Sequence, residues 1–337
     1  MKHLDRKLDA IRSGRYTPAY FILADAKDAD MAMGLTSPAR VRDVAGGLGA
    51  GHTDRAAYLD AMRQMVREGD IDILLASASS AERLAGEGLF TGSAVTPAVR
   101  YNDATDIWFA RGARYTEAPS RPFRSARLPQ VRAFADLGLY SVTFSNEVEA
   151  DLRTLDAYAA FREEAAALGL RHFLEVFNPA FDIGLGEAAA QAAPADLGAF
   201  IGDSIVRTLA GVVAAEQPVF LKIAYNGYAA MRELARYDPQ HLIVGILGGA
   251  RGTTRDTFEL LARAEAAGAR AALFGRKIKD AEDPLRLVGL MRAVLARALA
   301  PDEAVRVYHE GLREAGRVPD RALGDDLELT DPVLLSE

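Results

Sequence analysis

The chain has 337 residues, 50% of them hydrophobic and 26% charged, enough for one large α/β domain or two ordinary ones and typical of a globular protein. Its formal net charge of −7 argues against nucleic acid or an anionic membrane as the main partner, so an anionic ligand has to be held by local groups. The absence of cysteine excludes disulfides, thiolate metal sites and a cysteine nucleophile.

In chain order, the start MKHLDRKLDAIRSG is charged and lacks the apolar centre of a secretory signal, and no stretch approaches the length of a membrane span. A cytoplasmic protein is expected. Short apolar runs then recur, each of strand length: AYFILAD (19–25), IDILLAS (71–77), DIWFARG (106–112), LYSVTFS (139–145), RHFLEVF (171–177), PVFLKIA (218–224), HLIVGIL (241–247) and RAALFGR (270–276). Between them lie segments at helical spacing, such as AAYLDAMRQMVREG (56–69), LRTLDAYAAFREEAAALG (152–169) and DTFELLARAEAAG (256–268), each ending at a glycine that suits a helix cap. The stretch RYTEAPSRPFRSARLPQ (114–130) is a proline- and arginine-rich excursion after the third strand. EAAAQAAPADLG (187–198) reads as a long loop, followed by the helix SIVRTLAGVVAAE (204–216). The acidic end, PDRALGDDLELTDPVLLSE (319–337), reads as a packed or frayed tail. Eight strand and helix units without a dividing linker predict a (β/α)8 TIM barrel in a single domain, 1–337. Its core spans about 17–300, with N- and C-terminal extensions, the latter about 301–337.

Within the sixth strand, PVFLKIAYNG places Lys222 in the middle of an apolar run. Two readings stand: the side chain snorkels from a strand end, or desolvation favours the neutral amine as a nucleophile towards a carbonyl. In a barrel the C-terminal strand ends share one mouth, and chemistry collects there. The first strand ends in ADAKD, with Asp25, Lys27 and Asp28; the fifth carries Glu175 in FLEVFNP; the seventh ends in GGARGTT and the eighth in FGRKI. The last two suit phosphate, because glycines let backbone N–H groups approach its oxygens, and Arg251 and Arg276 add charge. Each piece has a plainer reading. The glycine pair alone serves as a turn, Arg276 as a surface charge, and Glu175 as a structural partner of Arg171 or another basic group. Their conjunction in the chain order a barrel requires is what favours a site.

These residues carry a family resemblance. LKIAYNG resembles the run around the Schiff-base lysine of bacterial and archaeal class I fructose-bisphosphate aldolases, and ILGGARGTT with GARAALFGRKI resembles the paired phosphate loops of that superfamily, which includes deoxyribose-phosphate and tagatose-bisphosphate aldolases. The likeness is best from about residue 171 to the helix after Ile278, and FILADAKD is similar to the segment holding the first-strand aspartate of these enzymes. Where the archaeal-type fructose-bisphosphate members have an acid–base tyrosine, this chain has Phe177 and Asn178, and Ala250 and Arg251 depart from the usual glycine-loop residues. Glu175 is similar instead to the strand-borne glutamate of tagatose-bisphosphate and sulfofructose-phosphate aldolases.

The resemblance implies a class I aldolase that cleaves or forms a C–C bond in a ketose phosphate. It implies Lys222 as the imine-forming residue, Glu175 for proton transfer with Asp25 second, and Gly248, Gly249, Arg251, Gly275 and Arg276 for the phosphate. No cofactor and no metal are expected: the five histidines, His3, His52, His172, His241 and His309, show neither HxH nor HExxH spacing. The partners expected are a small sugar phosphate and further copies of the chain in a homo-oligomer, with no nucleic acid and no membrane. Other imine enzymes (a dehydratase, a transaldolase, a deoxyketose lyase) need the same lysine. A catalytically silent sugar-phosphate-binding barrel is the alternative from a different class.

Overall fold

The structure, a computed structural model, describes residues 1–43, 47–185 and 196–336. The apolar runs form β1 (Ile22–Lys27), β2 (Ile73–Ala76), β3 (Thr96–Arg100), β4 (Leu137–Thr143), β5 (Arg171–Phe177), β6 (Leu221–Ile223), β7 (Gly245–Leu247) and β8 (Ala271–Phe274). Each pairs in parallel with the next, and β1 pairs with both β2 and β8, so the sheet closes and leaves no edge. Helix α1 (His3–Arg12) precedes β1, and α2 (Arg55–Glu68) and α3 (Ala78–Gly86) follow β1 and β2. A single turn, Leu128–Val131, stands between β3 and β4 where the other units have a helix. Then come α4 (Val148–Ala167), α5 (Leu197–Leu209), α6 (Tyr228–Tyr237), α7 (Thr254–Ala267) and α8 (Pro284–Leu295), one after each of β4 to β8, with α9 (Pro301–Glu314) packed on α7 and α8. This is the (β/α)8 barrel that the βα alternation predicts. Among the described residues no helix is long and apolar enough to cross a membrane.

The period of two along each strand sorts side chains into two buried layers. Ile22, Ala24, Ile73, Leu75, Leu137, Leu139, Phe173 and Leu273 fill the barrel, whereas Leu23, Leu74, Val99, Leu174, Leu221, Ile246 and Phe274 face the helices. Helix α1 closes the N-terminal end, with Leu4, Leu8 and Ile11 joining the interior cluster. Beside it Lys7 Nζ donates to the carbonyl of Phe21, and Asp72 Oδ2 accepts from Lys7 Nζ, the Leu23 N–H and Arg292 Nη2, each at 2.8 Å. Burial pushes the Asp72 carboxyl up, but Arg292 and Lys7 outweigh it and hold it below the usual carboxylate range.

Two expectations need correction. The third strand is Thr96–Arg100, not 106–112. Pro97 reads against a strand because it cannot donate to the ladder, and the IWF run looks more apolar. That run instead builds a small core of its own: Trp108 packs on Tyr115 and Phe123, with ring centroids 4.9 and 5.2 Å apart, under an antiparallel bridge between 103–104 and 122–123. The helix before β6 begins at Leu197, not 204, and ends at Leu209. Asp196 caps it by accepting from the Ala199 N–H at 2.8 Å, and Ile201, Ile205 and Leu209 give it one buried face. Gly198 hides its start in the sequence, yet a Cβ there would lie 2.5 Å from the Ala230 Cβ, so the glycine lets α5 approach α6. Residues 186–195, most of the stretch read as a loop, lie outside the described residues. The C-terminal tail is held against the barrel as far as the buried Leu334: Asp320 binds Arg42 and Arg251, Asp326 binds His309 and accepts from the Thr254 N–H, and Thr330 binds Asp256.

The network under the barrel has a measurable weight. Asp72→Asn leaves Lys7 and Arg292 facing a neutral amide at a buried site, and should cost about 3–5 kcal/mol of unfolding free energy in urea titrations. Because the folded-state value of Asp72 is depressed, its contribution is present above the unfolded-state carboxylate range and is lost as pH falls through the folded value. The wild type should therefore lose stability more steeply than the variant below about pH 4.

Candidate active site at the barrel mouth

The register of β5 and β6 sets Lys222 directly beside Glu175. Neighbours in register share a face, and here it is the barrel interior, since Leu174, Leu221 and Ile223 occupy the helix side. Both side chains are almost fully buried, at 5% and 1% exposure, and Lys222 Nζ lies 2.5 Å from Glu175 Oε1. An ammonium at such depth is tolerated only with a partner. Glu175 Oε2 has no hydrogen bond among the described residues, and Arg100 Nη1 lies 3.5 Å from it.

Arg100 is the last residue of β3 and points inward, in register with Leu139. It is held on every side: Nη1 donates to Asp28 Oδ2 at 2.7 Å, Nη2 to Ser141 Oγ at 3.1 Å and Nε to the Asn102 carbonyl at 3.0 Å, while the guanidinium lies 5.8 Å from the centre of the Phe177 ring. Asn102 extends the pairing of β3 with β4 by its side chain, donating to the Ser141 carbonyl and accepting from the Ser141 N–H. Asp28 lies just beyond β1. Burial pushes its carboxyl up, but Arg100 and then Lys222 overcome that and hold it below the usual range. Asp103 behaves oppositely: burial raises it, and Ser125 and Arg100 only partly offset this. The mouth thus alternates Lys222, Glu175, Arg100 and Asp28, two cations interleaved with two anions.

The other expected residues fall in different places. Asp25 shares the helix-facing side of β1 with Leu23, in register with Leu74 and Phe274, and its Oδ1 is bound by Lys27 Nζ at 2.7 Å. Burial pushes its carboxyl up, against the pull of Lys27. It does not join Lys222 and Glu175. Gly248, Gly249 and Gly275 follow the adjacent strands β7 and β8. Gly249 has φ +64°, the left-handed region that favours glycine, and a Cβ at Gly275 would stand 2.9 Å from the Ala26 carbonyl oxygen. Arg276 is exposed and makes no hydrogen bond or ion pair among the described residues. Arg251 is engaged elsewhere: its guanidinium lies 2.5 Å from Asp320 and 3.1 Å from Glu282. Arg100, Ser141 and Asn102 were not foreseen. The signal was present in TPAVRYND, an arginine closing a buried strand, but it depended on placing the third strand there. Asp28 was visible at the end of β1 without a role.

No protein-family model matches the chain, and no curated protein sequence matches it. Solved structures do. A Schiff-base-forming fructose-1,6-bisphosphate aldolase superposes with a TM-score of 0.59 at 16% identity, covering 88% of this chain and 100% of that one. The fructose-bisphosphate aldolase from Slackia heliotrinireducens gives 0.60 at 14% identity and 92% coverage of each chain. Cgl0159 from Corynebacterium glutamicum gives 0.56 at 18% identity, covering 88% of this chain and 98% of that one. At these identities the likeness establishes the fold: the chain is a (β/α)8 barrel of the kind found in Schiff-base aldolases.

Proposed function

We propose that the protein is a class I aldolase acting on a ketose phosphate, with Lys222 as the imine-forming residue. The observation that carries this reading is the buried 2.5 Å ion pair of Lys222 with Glu175 on the inner face of a barrel. Such a pair can exchange a proton internally. Glu175 takes one proton from the Lys222 ammonium, and the neutral amine adds to a ketone carbonyl. The protonated Glu175 then returns that proton to the carbinolamine hydroxyl; water leaves and an iminium forms. The carboxylate next accepts the proton of the hydroxyl one carbon beyond the bond that breaks. The electrons of that C–C bond pass to the iminium, an aldehyde departs, and protonation of the enamine followed by hydrolysis frees Lys222. The unbonded Oε2 of Glu175 suits the substrate hydroxyl.

Charge supports a polyhydroxy ketone over a 2-oxo acid. The cation that would attract a carboxylate beside the carbonyl, Arg100, is already held by Asp28, Ser141 and Asn102. The phosphate end is assigned to Gly248, Gly249, Gly275 and Arg276, where small residues open the backbone and one guanidinium makes no hydrogen bond or ion pair among the described residues. Arg251 braces this loop through Asp320 and Glu282. Asp25 is assigned to the packing between β1 and the helices.

Three measurements test the proposal. Borohydride reduction in the presence of dihydroxyacetone phosphate should add the reduced ligand's mass to the peptide containing Lys222; a label on Lys27 or Lys277 overturns the assignment. Glu175→Gln keeps the shape and removes the base, so turnover should fall by about two to four orders of magnitude, and undiminished turnover refutes the role. Arg276→Ala should raise KM for a phosphorylated substrate roughly fivefold, as expected for an exposed charge worth about 1 kcal/mol, while an unphosphorylated analogue is unaffected. Equal losses for both substrates would assign Arg276 to the loop's structure instead.

A further inference from the structure

We propose that Arg100 and Asp28 are positioning residues of opposite sign that hold Glu175 against Lys222, so that removing one charge or the other moves the pH dependence of imine formation in opposite directions. The inference rests on the aldolase reading of Lys222. Its basis is a chain of contacts across the mouth. Arg100 Nη1 lies between two carboxylates, 2.7 Å from Asp28 Oδ2 and 3.5 Å from Glu175 Oε2, and Glu175 Oε1 lies 2.5 Å from Lys222 Nζ. Arg100, Asp28, Glu175 and Lys222 are all buried, at 4%, 8%, 1% and 5% exposure, so little solvent screens one from another. Asp28 in turn feels the charge of Lys222 as well as that of Arg100.

Among the described residues, the charged groups of this cluster are Glu175 on β5, Arg100 at the end of β3, Asp28 after β1 and Asp103 after β3, linked in the chain Lys222–Glu175–Arg100 with Asp28 and Asp103 on Arg100. Asp103 is the most remote in effect. Its Oδ1 is 4.0 Å from Arg100 Nε, its Oδ2 accepts from Ser125 Oγ at 2.7 Å, and burial favours its neutral form. Removing Arg100 would leave Asp28 and Glu175 as two anions around one ammonium, which favours the protonated amine. Removing the charge of Asp28 would leave two cations around Glu175, which favours release of the proton. The two residues therefore act in opposite directions, and the pair is close to neutral. Arg100 is also fixed in place, because its Nη2 and Nε donate to Ser141 Oγ and the Asn102 carbonyl. Neither residue needs to touch the substrate to have this effect.

A purely structural role does not predict opposite shifts, and this separates the two possibilities. The yield of borohydride-trapped adduct at Lys222 with dihydroxyacetone phosphate is followed across a pH series, on the full chain, in variants checked for folding by circular dichroism. Arg100→Met should move the midpoint up, and Asp28→Asn should move it down, each by roughly one pH unit. The double variant should return close to the wild type. Arg100→Lys keeps the charge and should leave the midpoint near the wild type; if Arg100→Met does not fold, this variant and Asp28→Asn decide the matter. Midpoints that stay fixed, or move in the same direction, while Lys222 is still labelled overturn this inference alone. Absence of label in the wild type overturns the aldolase reading, and this inference with it.

Discussion

The structure depends on one constraint: a lysine ammonium and a glutamate carboxylate on adjacent parallel strands, both withdrawn from water, must satisfy each other. The register of β5 and β6 puts Lys222 opposite Glu175, and the closed barrel leaves them no route to solvent except the mouth. A pair so placed has a desolvation cost that its mutual attraction only partly offsets. Hydrophobic residues of similar size would pack there at least as well. The retention of charge at this depth is understandable if the charge is used.

The same constraint organises the neighbouring strands. One buried ion pair invites a second to balance the open carboxylate oxygen, and Arg100 answers Glu175 as Asp28 answers Arg100. Ser141 and Asn102 then fix the guanidinium, so that the strand ends β1, β3, β4, β5 and β6 converge on a single electrostatic unit. This differs in place from the network beneath the barrel, where Lys7, Asp72 and Arg292 tie α1 and α8 to the N-terminal strand ends. Lys7 there is pushed down to about 8, chiefly by burial. Burial is therefore enough to depress a lysine in this molecule even where a carboxylate faces it.

The C-terminal extension contributes by restraint. Asp320 lies between Arg42, from the excursion after β1, and Arg251, from the loop after β7, while Glu282 takes the other side of Arg251. Three segments distant in sequence are thus tied around the glycine loops of β7 and β8. A loop rich in glycine gives the backbone freedom to approach a ligand but not rigidity; the ion pairs around Arg251 supply the latter.

Much of this was legible in the residues themselves. Period and length alone mark β1, β2, β4, β5 and β8, because a strand buried on both faces has to be continuously apolar, and eight βα units leave the barrel as the economical closure. Lys222 and Glu175 stand out for the same reason, as charges inside such runs. What the sequence could not decide is which way a strand-end side chain turns and which strand lies beside which. Asp25 and Asp28 are three residues apart, and the period of two sends Asp25 to the helices with Lys27, leaving Asp28 to meet Arg100. The third strand was misplaced because Pro97 and an aromatic run carry opposite local signals, and only packing around Trp108 resolves them. Arg251 carries the composition of a phosphate ligand, but its partner Asp320 is 69 residues away. Local chemistry determines which groups are available; the closure of the barrel determines which of them meet, since side-chain direction and charge pairing are properties of the assembled sheet.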